Sequence, residues 1–277
     1  MSFDSGDSTE HLLSLEEIKA HEKEILRVLW QYCRKHKIRM WLAYGSLLGA
    51  VRHKDVIPWD DDIDISMPRP DYDRFLSLTK NGLGIYEVRS GEYTPGYFYP
   101  IAKMIDPRTI LVEHTIGDAH IMGVYLDIFP LDGLIEDSSK WEQIYQSVHR
   151  YYRILPHTVS SVTKGSSGLH TVAKTLLYPI LHSIGPHRYL HKINSLAKLA
   201  PYETAHSIGS VCWDWNFHRE PISKEIFLPR TTLLFEGHPF QATAGYHIRL
   251  TNLYGDYRTP PPVESQQPSH SFTASWR

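Results

Sequence analysis

The segment Trp59-Asp60-Asp61-Asp62-Ile63-Asp64-Ile65 constrains the fold more than any other part of the 277-residue chain. From Asp62 onward acidic and apolar residues alternate, which predicts a strand over 62–67 with its carboxylates on one face. Asp62 and Asp64 would then project together. Two neighbouring carboxylates repel each other unless a hard cation lies between them, and Mg²⁺ or Mn²⁺ suits such oxygen ligands. The segment therefore predicts a metal site at a strand.

The other two acids of the run, Asp60 and Asp61, are not expected to lie on the strand beside Asp62 and Asp64. Asp61 is expected to point away from Asp62 and Asp64, as a solvated or capping residue. Asp60 has the parity of the metal-binding face but is expected on the preceding loop, so its participation stays open. A third ligand is expected from Asp127, which lies alone among apolar neighbours on a predicted buried strand. It would be a metal ligand or the base that takes a hydroxyl proton, against the alternative of a structural salt bridge.

The residues before the aspartates predict a phosphate site. An apolar strand over 38–43 is expected to end at Tyr44-Gly45-Ser46, with a short helix over 47–52. Gly45 would let the backbone approach a phosphate, while Ser46 and the helix N-terminus would donate N–H groups. Arg52 and Lys103 are the cations best placed to bind phosphate. Arg52 and His53 would equally suit a cation pair at the C-terminus of the helix.

The remaining pattern predicts a mixed α/β (α+β) fold, with a sheet flanked by helices. Ser14 and Glu17 predict a capping box at the start of a helix over 15–37. Further helices are expected over 70–78 and 139–155, and strands over 85–89, 98–105, 109–113 and 122–129. The expected organisation is a flexible N-terminus (1–13), a catalytic core (14–138), a mainly helical region that completes the site (139–262) and a polar tail (263–277).

Composition narrows the functional classes. The net charge of −2 argues against a nucleic-acid binder. The polar start of the chain and the lack of a long apolar stretch predict a soluble, cytoplasmic protein, with the inner face of the membrane as a further location. Residues 143–202 contain no Asp or Glu but several Lys and Arg. This region is either a helical domain with a basic face or a peripheral membrane contact.

Several motifs of the sequence resemble those of a known family. The run 44–53, followed by Ile57-Pro58-Trp59-Asp60-Asp61-Asp62-Ile63-Asp64, is similar to the signature of the LicD family. Two later motifs, 127–133 and Tyr254-Gly255-Asp256-Tyr257, are similar as well, so the resemblance runs from about Leu42 to Pro262. It implies a nucleotidyltransferase-like fold and metal binding by Asp62, Asp64 and Asp127.

The resemblance also implies substrates. Bacterial members of the family transfer phosphocholine from CDP-choline to sugar hydroxyls of teichoic acid or lipooligosaccharide precursors, and fukutin-type relatives transfer ribitol phosphate from CDP-ribitol. The expected partners are therefore a CDP-choline or CDP-alditol donor and a glycan or lipid-linked saccharide acceptor. A choline group would need an aromatic cage. The candidates for it are Trp59, Tyr97, Tyr99, Trp213 and Trp215, and in the tail His270 is a candidate site residue.

Two other functions compete with phosphotransfer. One is a nucleotidyltransferase that transfers the nucleotide itself and releases pyrophosphate. The other is a non-catalytic scaffold that keeps the fold.

Overall fold

A pair of parallel strands forms the centre of the molecule. The computed structural model describes residues 12–114, 120–160, 177–213, 221–268 and 270–277. Strands β2 (Asp64–Pro68) and β7 (Tyr125–Gly133) pair in parallel, and each of their residues is buried. Parallel strands are covered on both faces, which explains the near-continuous apolar runs around their polar residues.

Five further strands extend the sheet from this pair. β1 (Trp41–Leu42) pairs with β2, whereas β4 (Ala102–Ile105) pairs with β7 and in turn with β3 (Glu87–Arg89). β8 (Ser207–Gly209) pairs with the end of β7 and with β9 (Ile222–Ser223), which completes seven strands. These five added pairings are all antiparallel, so β2 and β7 are the one parallel pair of this sheet in the described ranges.

Two smaller sheets lie beside the main one. β5 (Thr109–Glu113) has β6 (His120–Met122) on one side and β12 (Phe272–Trp276) on the other. β10 (Arg230–Phe235) and β11 (His238–Thr243) form a hairpin.

Helices cover both faces of the main sheet. They are α1 (Leu15–His36), α2 (Tyr44–Arg52), α3 (Arg69–Thr79), α4 (Ser138–Ile154), α5 (Pro186–Ala197), α6 (Lys224–Phe227) and α7 (Tyr246–Tyr254), and residues 177–184 are also helical. The predicted capping box is present, because the Ser14 hydroxyl accepts from the Glu17 N–H and the Glu17 carboxylate accepts from the Ser14 N–H. In the described part of the chain no helix is long and apolar enough to cross a bilayer.

The alternation along β7 separates two cores. Leu126 and Ile128 pack with residues of α1, α2 and α3, whereas Tyr125 and Phe129 pack with residues of α4 and α5. Asp127 therefore lies on the same face of the sheet as Tyr125 and Phe129.

The predicted mixed α/β fold class is confirmed, but several elements differ from the predicted ones. The tail expected to be polar contains the strand β12. The predicted strand over 122–129 is two strands, β6 and β7, and the strand over 98–105 contracts to β4. The helix after the first strand begins at Tyr44, so Gly45 and Ser46 lie in its first turn and not before it.

Candidate active site

Three aspartate side chains come together at one end of the parallel pair. The register of β2 and β7 sets Asp64 directly opposite Asp127, and Asp62 precedes β2 by two residues. One carboxylate oxygen from each of Asp62, Asp64 and Asp127 lies within 4.8 Å of the others. The structure thus assembles the predicted ligand set, although Asp62 lies just before the strand and not within it.

Burial and mutual repulsion disfavour the charged forms of these acids. Burial, followed by the charge of Asp60, raises the pKa of Asp62 to about 7. Burial and the charges of Asp62 and Asp127 raise the pKa of Asp64 well above its usual value. Burial also raises the pKa of Asp127, and the Lys103 ammonium opposes that shift. A divalent cation among these oxygens would remove the repulsion, so the residues fit such an ion.

Ser46 and Lys103, both predicted to bind phosphate, hold aspartates in position. The buried Ser46 hydroxyl accepts the backbone N–H of Asp64 at 2.8 Å, which ties α2 to the start of β2. Lys103 is buried on β4, opposite Asp127 in the register, and its Nζ donates to Asp127 Oδ1 at 2.6 Å. The salt bridge considered as the alternative for Asp127 is therefore present beside the aspartate cluster.

Gly45 lies on the wall of the site against Asp60. A Cβ at position 45 would come within 2.6 Å of Asp60 Oδ2, so a side chain there would displace that carboxylate. Burial and the charge of Asp61 raise the pKa of Asp60 to about 6. Asp60 therefore belongs to the acidic cluster, and Gly45 leaves the space for it.

The expectation that Asp61 is solvated was wrong. Asp61 is 2% exposed, and its carboxylate receives the backbone N–H of His270 at 2.9 Å and lies 2.9 Å from His270 Nδ1. The hydrogen bond to Asp61 raises the pKa of His270 to about 9. His270 Nδ1 also lies 3.9 Å from Asp62 Oδ2. The tail residue is thus fixed beside the clustered acids.

Arg52 and Trp59 lie away from the cavity wall, next to each other. The Arg52 Nη1 donates to the carbonyl oxygen of Tyr257 at 3.0 Å, and its guanidinium lies 5.8 Å from the centre of the Trp59 ring. Trp59 also contacts His53 edge-on. Arg52 thereby links the first sequence motif to the late motif 254–257.

The aspartates lie at the wall of a cavity of about 720 Å³ with an aromatic lining. Trp213 packs edge-on against Phe129 at 5.5 Å and against Tyr152 at 5.7 Å between ring centres. Phe98 stacks on Tyr99, whose hydroxyl donates to Glu113 on the same wall. Of the five predicted cage residues, Tyr99 and Trp213 line the cavity, Trp59 and Tyr97 do not, and Trp215 lies outside the described residues.

Sequence reasoning missed several residues of the site. Phe129, Tyr152, Glu113 and Tyr254 line the cavity, and each comes from a different element. Phe129 and Tyr254 lie within the two later motifs, which could have marked them, whereas no local pattern marks Tyr152 or Glu113. Glu22 is a further case, since it is 2% exposed on α1 and one of its oxygens has no hydrogen-bond partner among the described residues. Burial and the charges of Asp62, Asp61 and Asp60 raise its pKa well above the usual value.

Comparison with known proteins identifies the family. A family model described as the LicD/FKTN/FKRP nucleotidyltransferase domain matches residues 37–159. The chain is 31% identical over 252 residues to the lipopolysaccharide cholinephosphotransferase LicD of Haemophilus influenzae. The matched region covers 89% of this chain and 92% of that protein. The chain belongs to the LicD family.

The LicD-family resemblance of the sequence motifs is thereby confirmed, and the chain is a phosphotransferase of that family. A shorter match extends to the human and mouse ribitol 5-phosphate transferase FKRP. It is 60% identical over 30 residues, which is 11% of this chain and 6% of either relative. The three aspartates and Gly45 lie in the matched LicD-family domain.

Proposed function

We propose that this chain is a metal-dependent phosphotransferase that moves phosphocholine from CDP-choline to a sugar hydroxyl of a glycan or lipid-linked saccharide, with CMP as the leaving group. The observation that carries the proposal is the convergence of three aspartate carboxylates on an aromatic-lined cavity. Acceptors in the proposal are precursors of lipopolysaccharide or teichoic acid.

Asp62, Asp64 and Asp127 would hold Mg²⁺ or Mn²⁺. Their oxygens are hard ligands, they lie within 4.8 Å of one another, and they are destabilised as a set without a cation. When bound, the ion neutralises charge on the phosphates of the donor.

The protein side chains contribute position and proton transfer. Ser46 fixes Asp64, and Lys103 occupies one oxygen of Asp127, so the second oxygen of Asp127 is available to the site. The acceptor hydroxyl attacks the phosphorus distal to cytidine, the bond to CMP breaks in line, and Asp127 is placed to receive the hydroxyl proton. Gly45 and the first turn of α2 border the cavity where the diphosphate would bind.

The lining of the cavity favours choline over a polyol. A trimethylammonium group is bound by aromatic faces and by negative charge, both of which the wall supplies through Phe129, Tyr152, Trp213, Tyr99 and Glu113. A ribitol chain would instead need hydrogen-bond partners for each hydroxyl group. The Haemophilus influenzae relative is a lipopolysaccharide cholinephosphotransferase, which agrees with this preference.

A donor screen tests the proposal. The purified chain, with Mg²⁺ and a lipid-linked saccharide, is expected to release CMP from CDP-choline much faster than from CDP-ribitol. The double variant Asp62→Asn/Asp64→Asn is expected to lose at least about a thousandfold in rate, since a metal clamp contributes several kcal/mol at the transition state. Release of pyrophosphate from CTP would indicate a nucleotidyltransferase instead, and an unchanged rate in the folded double variant would indicate chemistry elsewhere.

Replacing Trp213 tests the choline site by itself. Trp213→Leu is expected to raise the KM for CDP-choline about tenfold, because one cation–π face is worth about 1–2 kcal/mol when desolvated. Trp59→Leu is the matched control, since Trp59 is also half-buried but lies off the cavity wall. Equal effects of the two substitutions on KM would remove the aromatic cage from the proposal.

A further inference from the structure

An exposed apolar stripe lies on the helical segment 177–184. Leu177, Ile180 and Ile184 are 54%, 58% and 37% exposed. Their spacing of three and four residues places them on one face of a helix. Three large apolar side chains grouped in this way cost free energy in water, so the face indicates an apolar partner.

The segment is anchored so that this stripe points outward. Tyr178 is buried, and its hydroxyl lies 2.9 Å from Nδ1 of His157. His182 Nε2 lies 2.8 Å from the carbonyl oxygen of Ser160. The inward side of the segment therefore packs on the turn that follows α4, and the apolar side chains are left on the outside.

Exposed cations lie on α4, which precedes the turn that anchors the segment, and on α5, which directly follows the segment. Arg150 and Arg153 of α4 and Arg188 and Lys192 of α5 are exposed and have no carboxylate partner among the described residues. The two helices pack against each other, and residues 143–202 contain no acid at all. A surface with apolar side chains beside unpaired cations is complementary to a bilayer that carries anionic head groups.

The same turn borders the catalytic cavity. Leu155 and Pro156, which directly precede His157 in this turn, line the cavity together with Tyr152 of α4. A bilayer at the stripe would therefore lie beside the cavity. We propose that the surface formed by Leu177, Ile180, Ile184 and the cations of α4 and α5 docks the protein on an anionic lipid bilayer.

Vesicle binding tests this surface without any substrate, so the result does not depend on the proposed chemistry. The full chain is expected to sediment with vesicles of phosphatidylcholine and phosphatidylglycerol, and to bind pure phosphatidylcholine vesicles much more weakly. Raising the salt concentration should weaken the first interaction by screening. An equally low background with both vesicles would overturn the proposal.

Two variants separate the apolar contribution from the charge contribution. Ile180→Glu is expected to lower the partition coefficient about tenfold. Arg188→Gln/Lys192→Gln is expected to lower it about twenty-fivefold, at about fivefold for each cation. Circular dichroism and a thermal melt establish that each variant is folded.

Matched controls use exposed residues outside the acid-free region. Ile85→Glu changes an isoleucine that is 54% exposed, and Arg27→Gln/Lys80→Gln removes two exposed cations. Neither control should alter vesicle binding. Equal losses in the controls would overturn the proposal, as would a stripe variant that dissociates a dimer while vesicle binding stays unchanged.

Discussion

At the scale of single residues, the candidate site depends on side chains that hold the aspartates as much as on the aspartates themselves. The Ser46 hydroxyl holds the Asp64 backbone, and Lys103 holds one oxygen of Asp127. These contacts keep like charges together at a spacing that each charge alone opposes. The carboxylates are therefore held at a spacing that suits the cation proposed above, and their mutual repulsion opposes that spacing.

Asp64→Asn should reveal this opposition as a change in stability. In metal-free buffer the variant is expected to be about 1–2 kcal/mol more stable than the wild type, because asparagine avoids the cost of either charging or protonating a carboxyl buried beside Asp62 and Asp127. Mg²⁺ should raise the melting temperature of the wild type and leave that of the variant almost unchanged. Asp73→Asn, at a half-exposed acid away from the cluster, serves as the control and should keep the response to Mg²⁺. A normal Mg²⁺ response in Asp64→Asn would exclude Asp64 as a ligand.

Gly45→Ala should lower activity while leaving stability almost unchanged. The added methyl group would lie 2.6 Å from Asp60 Oδ2 and would displace that carboxylate. Alanine is the better helix former by up to about 1 kcal/mol, so the stability of the variant should not fall much. The transfer rate is expected to fall about tenfold or more, as misplaced groups cost at least that in catalysis. A variant with full activity would contradict the close packing of Gly45 and Asp60.

Two local sequence patterns were enough to select three of the acids that the structure brings together. Asp62 and Asp64 followed from the alternation of acidic and apolar residues, and Asp127 followed from its isolation within an apolar run. The partner of Asp61 was not predictable, because His270 reaches it across 209 residues. Glu22 has no local signal either, since it is one of several acids on an amphipathic helix.

At the scale of elements, a buried ion pair joins the end of β7 to the start of α3. The Arg69 Nε donates to Asp132 Oδ1 at 2.6 Å, its Nη2 donates to Oδ2 at 3.1 Å, and both side chains are buried. β7 carries Asp127 and pairs with β2, which runs into α3. The pair therefore braces the two strands that carry the aspartates.

Asp132→Ala should destabilise the protein strongly. Removal of one partner leaves the Arg69 guanidinium buried and uncompensated, which costs about 3–5 kcal/mol. Urea unfolding followed by circular dichroism measures the loss. Glu87→Ala, which breaks the half-exposed pair of Glu87 with Arg89, is the control and should change stability by no more than about 0.5 kcal/mol. Similar losses of stability in both variants would mean that the buried pair stabilises the protein no more than the pair of Glu87 and Arg89 does.

The sequence predicted long elements better than short ones. α1 was predictable because it carries a capping box and an apolar stripe over many turns. The strand expected over 38–43 contracts to Trp41–Leu42, because only these residues find partners on β2, although Ile38 and Met40 are buried as well. Burial gives the apolar pattern, whereas strand pairing also requires a neighbour that local sequence does not specify.

At the scale of the whole molecule, the two ends of the described chain meet beside the site. β12 pairs with β5 on one side, and on the other the Leu13 N–H donates to the Ala274 carbonyl oxygen at 2.7 Å. This closure sets His270, just before β12, against Asp61. The tail escaped prediction as a strand because its composition is polar and its partners are remote in sequence.

Truncation of the chain after Pro268 should therefore affect the site more than the main sheet. The shortened protein loses β12 and His270, so Asp61 becomes a buried carboxylate without its partner. We expect a loss of about 3 kcal/mol in stability from the uncovered β5 and its apolar contacts. The transfer rate should fall further than that of His270→Ala, which keeps β12 and removes only the imidazole.

Comparing the transfer rates of the truncated chain and of His270→Ala tests whether the pairing of β12 contributes to the site. If His270 acts mainly through its position beside Asp61 and Asp62, the point variant alone should lower the rate about tenfold, the size of one charge-assisted hydrogen bond. The truncation should add the effect of a loosened segment around Asp61, since the His270 backbone N–H is lost as well. A truncated chain that is folded and fully active would show that the C-terminal strand stabilises the fold without contributing to the site.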